Sequence, residues 1–159
     1  MDQSKPRTKP ARIPPPVLFL LSYIAGEGLD HILPLPLNRL VSVRAGEVLG
    51  ALFLGIGLMV VLISFTTFIA AKTTPVPYRR PATLVTWGPY RLSRNPMYVG
   101  VTLIYLGVAA LRAVLWPVLL LPIALAVLNT FVIPQEESML RATFGTAYER
   151  YCARVRRWL

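Results

Sequence analysis

The sequence predicts an all-α integral membrane protein with about four transmembrane helices, followed by short amphipathic helices on the cytoplasmic side. Of its 159 residues, 55% are hydrophobic and only 15% are charged, whereas a soluble domain carries about 25% charged residues. Long apolar stretches alternate with basic or proline-rich segments. The lysines and arginines stand at the edges of these stretches, as expected for membrane topology and not for a nucleic-acid-binding patch.

The first half of the chain predicts a membrane anchor. Residues 1–13 are polar, basic and proline-containing, and we expect a disordered tail. Residues 14–71 should then form a two-helix anchor. Its first hydrophobic segment runs from Val17 to about Leu37 and is ended by Pro34 and Pro36, and its second runs from Gly46 to Ala71. Glu27 interrupts the first helix, so its side chain should lie near the far interface or face another helix. Gly50, four residues after Gly46, should let a neighbouring helix approach the second helix closely.

The second half, residues 72–159, predicts a loop, a helical hairpin and surface helices, and the whole chain should form a single domain. Residues 72–95 are basic and proline-rich, and residues 97–133 are apolar except for Arg112, where the hairpin should turn. Beyond it, two amphipathic helices joined at Gly145 should lie on the membrane surface, with Thr146 to Glu149 as a capping box. Their apolar stripe is Leu140, Phe144, Tyr148, Tyr151, Val155 and Trp158.

Charge distribution predicts the orientation. Fourteen of the 17 lysines and arginines lie in the N-terminal tail, the 72–95 loop or the C-terminal segment, and the other three are Arg39, Arg44 and Arg112. Both termini should therefore be cytoplasmic in a multi-pass protein. A single cysteine excludes an intramolecular disulfide, a single histidine argues against a histidine-based metal cluster, and we expect no metal and no nucleic-acid partner.

Two clusters carry the candidate chemistry: Gly88 to Tyr98, and the Glu136–Glu137 pair. They lie at opposite ends of the predicted hairpin, so its out-and-back course should bring them to one face. Asn95 before Pro96 predicts a helix start, whose free N–H groups can bind a carboxylate. The other predicted ligand groups are the guanidinium of Arg94, the aromatic rings of Tyr90 and Tyr98, and one of the two glutamates. S-adenosylmethionine (SAM), with its carboxylate, ammonium, sulfonium and adenine, would match this set.

Each of these residues also has a simpler role that the sequence leaves open. Asn95 and Pro96 can cap a helix without any ligand. Glu136 and Glu137 can complement a helix dipole. Arg94 can serve as a positive-inside anchor, and Tyr98 as an interfacial aromatic residue.

Together these motifs resemble the isoprenylcysteine carboxyl methyltransferase family and its bacterial relatives over about residues 73–159. The resemblance rests on Gly-Pro-Tyr-Arg at 88–91, Arg-Asn-Pro-Met-Tyr at 94–98, the glutamate pair, and the tail motif from Phe144-Gly145 to Val155-x-Arg157. It implies a SAM-dependent membrane methyltransferase with a lipophilic acceptor entering from the bilayer. The residues that it assigns to the cofactor pocket are Arg94, Pro96, Tyr98, Glu136 and Glu137.

The sequence departs from the eukaryotic enzymes at Asn95, where they have histidine. Asparagine cannot titrate near neutrality, so a proton-carrying role at this position is in doubt, whereas cofactor binding is not. Phe144 and Tyr148 are the predicted contacts of the acceptor, whose reactive group the sequence does not define. Two other functions stay open: a membrane reductase using NADPH, and a non-enzymatic membrane adaptor whose partner binds the C-terminal helices.

Overall fold

The computed structural model describes residues 14–35, 40–73 and 82–159. Over these residues it contains helices and turns and no strand, which confirms the predicted all-α fold. The predicted tail, residues 1–13, and residues 74–81 of the predicted loop lie outside the described residues. The helices are α1 (Pro15–Ile32), α2 (Val43–Ala70), α3 (Pro96–Leu111), α4 (Trp116–Val127), α5 (Ile133–Phe144) and α6 (Thr146–Cys152), with a 3₁₀ turn over Gly88–Arg91 and a π-helical turn over Leu128–Val132.

Within the described residues, two helices are long and apolar enough to cross a membrane: α2, and the continuous helix Trp116–Phe144 that α4, the π-helical turn and α5 form together. Only 17% of the 18-residue apolar stretch of α2 is buried inside the protein. The core helix of a soluble protein would be mostly buried, so the outward apolar surface of α2 is one that lipid covers. The shorter α1 and α3 pack beside these two helices and complete the predicted four-helix arrangement.

Glycines allow α2 and α3 to pack closely. A Cβ atom on Gly50 would lie 3.0 Å from the carbonyl oxygen of Gly107, and one on Gly57 would lie 2.7 Å from that of Gly100. The two backbones therefore touch along most of α3, which confirms the expected role of Gly50. Gly55, by contrast, faces open space.

The first helix packs against α4 and is tied to the hairpin at its far end. Glu27 pairs with Arg112 at 3.4 Å, in the turn between α3 and α4, so its expected orientation toward another helix is confirmed. The helix ends at Ile32, two residues before Pro34. The reason is Pro34, which disfavours helical backbone angles at Leu33 before it.

The hairpin turns near Arg112, as predicted, but its second arm does not end at Ile133. It runs on through the π-helical turn into α5, so the first of the two predicted surface helices is a continuation of the transmembrane arm. Pro134 cannot donate a backbone hydrogen bond, and its ring crowds the preceding turn. The helix accommodates it with one wider turn, in which the amide of Ile133 bonds the carbonyl of Leu128.

Helix α5 ends before Gly145 and α6 begins after it. The φ of 50° and ψ of −126° at Gly145 favour glycine. The junction was predicted, but the capping box was not correct. Gly145 is the N-cap of α6, and Thr146 is already the first helical residue and makes no capping hydrogen bond.

Candidate active site

A cavity of about 480 Å³ lies at the end of the helix bundle where α3 begins. Its walls come from the start of α1, the second half of α2, the segment 83–95 before α3, the start of α3, and α5 with α6. The hairpin thus brings the two sequence clusters to one place. All seven predicted cofactor-binding residues line this cavity: Tyr90, Arg94, Asn95, Pro96, Tyr98, Glu136 and Glu137.

Tyr90 reaches the cavity from the 3₁₀ turn before α3. Gly88, with φ of 61°, permits this turn. The ring of Tyr90 packs edge-on against Phe68 with the centroids 5.1 Å apart, and its carbonyl accepts a hydrogen bond of 2.7 Å from the hydroxyl of Tyr151. Burial raises the pKa of Tyr90, so its hydroxyl stays protonated.

Glu137 is only 5% exposed and is held by arginines from three parts of the chain. Arg157 donates from Nε and Nη2 to the two carboxylate oxygens at 3.0 and 2.8 Å, which is a bidentate pair. Arg94 Nη1 lies 3.3 Å from Oε1, and Arg141 lies 4.0 Å from Oε2. Hydrogen bonding to Glu137 raises the pKa of Arg157, which therefore remains charged. These contacts occupy both oxygens of Glu137.

Glu136 has a different environment, although it is the adjacent residue. Adjacent residues on a helix point about 100° apart. Tyr98 donates from its hydroxyl to Glu136 Oε1 at 2.9 Å. Among the described residues, Oε2 of Glu136 has no hydrogen-bond partner, and no arginine pairs with this carboxylate. Glu136 is therefore the cavity carboxylate with capacity left to bind a ligand.

Asn95 is the N-cap residue of α3 by backbone position, and Pro96 is the first helical residue, as predicted. The side chain of Asn95, however, makes no capping hydrogen bond. Its Nδ2 donates to the carbonyl oxygen of Arg157 at 3.0 Å. Ser93 Oγ donates to the same carbonyl at 3.2 Å, and the amide of Arg94 donates to the carbonyl of Arg156 at 2.9 Å. Asn95 thus anchors the segment after α6, which we call the C-terminal strap (residues 153–159).

The remaining walls of the cavity are apolar, and they include Phe19, Val61, Phe65 and Leu140. Tyr148 also lines the cavity, whereas Phe144 does not. Tyr148 and Tyr151 are 1% and 6% exposed, so these members of the predicted stripe face the protein interior and not the bilayer. The correction follows from Gly145, which turns α6 back over the cavity.

Two contacts of the site were not predicted from the sequence. Arg157 was counted only as a basic residue of the tail and as part of a family motif, and nothing near it in sequence indicates a buried glutamate as its partner. Arg94 Nη1 also donates to Cys152 Sγ at 2.7 Å. Arg94 Nε is buried and has no partner among the described residues, so this N–H of the guanidinium is an unused donor.

The fold and site define an all-helical membrane protein with a polar cluster at one end of an otherwise apolar cavity. The family model of phospholipid methyltransferases matches residues 46–147. The chain belongs to this methyltransferase family, which confirms the resemblance to isoprenylcysteine carboxyl methyltransferases drawn from its motifs. No curated protein and no solved structure matches the chain. The match leaves out α1 and Arg157, both of which contribute to the site.

Proposed function

We propose that the protein transfers a methyl group from SAM to a lipophilic acceptor that enters the cavity from the bilayer. The observation that carries the proposal is the Glu136–Tyr98 pair, a carboxylate with a free oxygen at the polar end of an otherwise apolar cavity. Membership in a methyltransferase family supports the type of reaction. The cavity volume of about 480 Å³ falls within the range of about 300–1,000 Å³ that is typical of small-molecule sites.

The side chains at the polar end fit the chemical groups of SAM. Glu136 would hold its ammonium or sulfonium charge. The unused Nε of Arg94 and the amide of Met97 in the first turn of α3 would bind its carboxylate. Tyr90, Tyr98 and Tyr148 offer aromatic surface for the adenine. Glu137 would act indirectly, by fixing the position of Arg94.

When bound, SAM supplies an electrophilic methyl group on a cationic sulfur. The apolar walls exclude water, which removes hydration that would stabilise the separated charges of an anionic acceptor and the sulfonium. The helices hold the two reactants in one orientation. Neither contribution requires a proton carrier at Asn95, whose side chain is engaged with the strap.

The acceptor would enter along α2. Phe65 lines the cavity and is also 43% exposed, and it belongs to the apolar spanning helix α2. We therefore infer that apolar side chains of α2 form the route from the bilayer to the cavity. The reactive group of the acceptor can be a carboxylate, an amine or a hydroxyl, because none of the described side chains is dedicated to one of these groups.

A binding comparison tests the cofactor. The full chain in detergent is titrated by calorimetry with SAM, with NADPH and with buffer alone. SAM should bind with an affinity near 1 μM, equivalent to about 8 kcal/mol, and NADPH should not bind. Binding of NADPH alone would support the reductase, and binding of neither would support the adaptor.

A transfer experiment tests the reaction. Membranes containing the protein receive SAM labelled on its methyl group, and the label is counted in the organic phase after lipid extraction. Label should accumulate with the wild-type protein and fall to background with Arg94→Ala. Arg150→Ala is the matched control, because Arg150 is exposed on α6 and its Nε bonds only the carbonyl of Thr146. Equal labelling by all three proteins would contradict the proposal.

A further inference from the structure

A second surface, outside the cavity, combines exposed apolar and basic side chains. We call it the interfacial patch and define it by Trp87, Arg91, Leu92, Arg154 and Arg156. Trp87 is 48% and Leu92 is 73% exposed, and the three arginines are exposed as well. Large apolar side chains with this exposure have little packing role inside the protein, so they are available to a partner outside the fold.

The patch belongs to two segments that hydrogen bonds join. The 3₁₀ turn connects to α6 through the hydroxyl of Tyr151, which donates to the carbonyl of Tyr90. The residues that follow this turn connect to the C-terminal strap through the amide of Arg94, which donates to the carbonyl of Arg156. The exposed residues of the two segments therefore lie near one another in the fold.

The position of the turn places this surface at the edge of the membrane. Tyr90 packs on Phe68, and a Cβ on Gly88 would lie 3.2 Å from the hydroxyl oxygen of Thr67, both within the last turn of the spanning helix α2. Helix α3 starts five residues after the turn. A tryptophan at this depth lies at the level of the lipid head groups, where its ring is favoured.

The charge of the patch identifies the kind of partner. None of its arginines forms an ion pair in the part of the chain that the structure describes, and the one side-chain bond among them runs from Arg154 Nε to the carbonyl of Arg150. The nearby exposed acid on α6 is Glu149, which leaves the surface clearly positive. Paired arginines would be neutralised, but these three retain their capacity to bind phosphate.

We propose that the interfacial patch binds the head groups of anionic phospholipids, with the arginines on the phosphates and Trp87 and Leu92 in the adjoining acyl region. This lipid site is separate from the methyl-transfer cavity and would exist whatever the acceptor is. Basic residues near an anionic surface each contribute to binding, and the contribution falls off within a Debye length.

Native mass spectrometry of the full chain in neutral detergent tests the proposal with short-chain phosphatidylglycerol and phosphatidylcholine. The wild-type protein should retain phosphatidylglycerol at least tenfold more strongly. Arg91→Gln and Arg154→Gln should each weaken phosphatidylglycerol binding roughly fivefold, and the double variant about twentyfold, without affecting phosphatidylcholine. Trp87→Ser should weaken both lipids, since it removes contact with the shared acyl region.

Arg44→Gln is the matched control, because Arg44 is an exposed arginine at the other end of the molecule, at the start of α2. It should leave phosphatidylglycerol binding unchanged. An equal loss with Arg44→Gln would show a general charge effect and would overturn the proposal. So would equal retention of the two lipids by the wild-type protein, or full displacement of phosphatidylglycerol by millimolar inorganic phosphate.

Discussion

Glu136 and Glu137 are chemically identical neighbours, and the structure gives them opposite tasks. Glu137 holds Arg157 and Arg94 with both of its oxygens, so it contributes to the architecture of the site. Glu136 takes a single hydrogen bond from Tyr98 and keeps an oxygen for a ligand. The sequence predicts that the two side chains diverge, because they are adjacent on a helix. It cannot predict which one is neutralised, because the partner Arg157 is 20 residues away.

The first prediction concerns Glu136→Gln, which removes the carboxyl group and preserves the shape of the side chain. SAM affinity should fall roughly tenfold to a hundredfold, the effect of losing one hydrogen bond to a charged group. Thermal stability in detergent should not decrease, since no arginine depends on this carboxylate. Calorimetry gives the affinity, and the exposed Glu149→Gln is the control. Unchanged SAM affinity would show that Glu136 does not contact the cofactor.

The second prediction concerns Glu137→Gln, which leaves Arg94 and Arg157 without a buried counter-charge. Removing one partner of a buried ion pair costs about 3–5 kcal/mol. We expect a large loss of thermal stability, measured by scanning fluorimetry in detergent. Arg157→Lys should lose less, because lysine keeps the charge but not the bidentate geometry. Glu137→Gln with wild-type stability would contradict the anchoring role.

At the scale of elements, the packing of α2 on α3 depends on glycine at particular positions. The third prediction is that Gly107→Ala destabilises the protein by about 1–3 kcal/mol, because the new Cβ would lie 2.6 Å from the backbone nitrogen of Leu54. Gly55→Ala on the opposite side of α2 meets open space and should be neutral or stabilise by up to about 1 kcal/mol. Equal melting temperatures of the two variants would rule out close backbone packing.

The elements also show where sequence patterns suffice. Apolar stretches and the arginine at the turn predict the hairpin, and Asn95 before Pro96 predicts the start of α3. The continuation of the second arm into α5 was missed, because Pro134 and two glutamates are typical signals for the end of a transmembrane helix. A π-helical turn can accommodate the proline, but its location depends on how the helix packs and not on a local motif. The inward direction of Tyr148 likewise depends on the angle at Gly145, which periodicity does not define.

For the whole molecule, the fourth prediction is the orientation. We expect both termini and the loop before α3 to face the cytoplasm, since fourteen of the 17 basic residues lie in these three segments. In a Cys152→Ser background, Ala82→Cys should react with a membrane-impermeant maleimide only after the membrane is opened. Leu40→Cys, exposed at the other end, should react in intact cells. The reverse pattern would invert the topology.

The helix from Trp116 to Phe144 has 29 residues, and at 1.5 Å per residue it is about 43 Å long. The hydrocarbon core of a bilayer is only about 30 Å thick. Counted from Trp116 along an untilted helix, that thickness ends at about Glu136, so we expect this residue at the boundary between acyl chains and head groups. The length of this helix therefore sets the depth of the polar end of the cavity relative to the bilayer. A thicker bilayer would place that end in the hydrocarbon region, and a thinner one would move it away from an acceptor dissolved in the membrane. The rate of methyl transfer should therefore pass through a maximum as the acyl chains of the host lipid are lengthened.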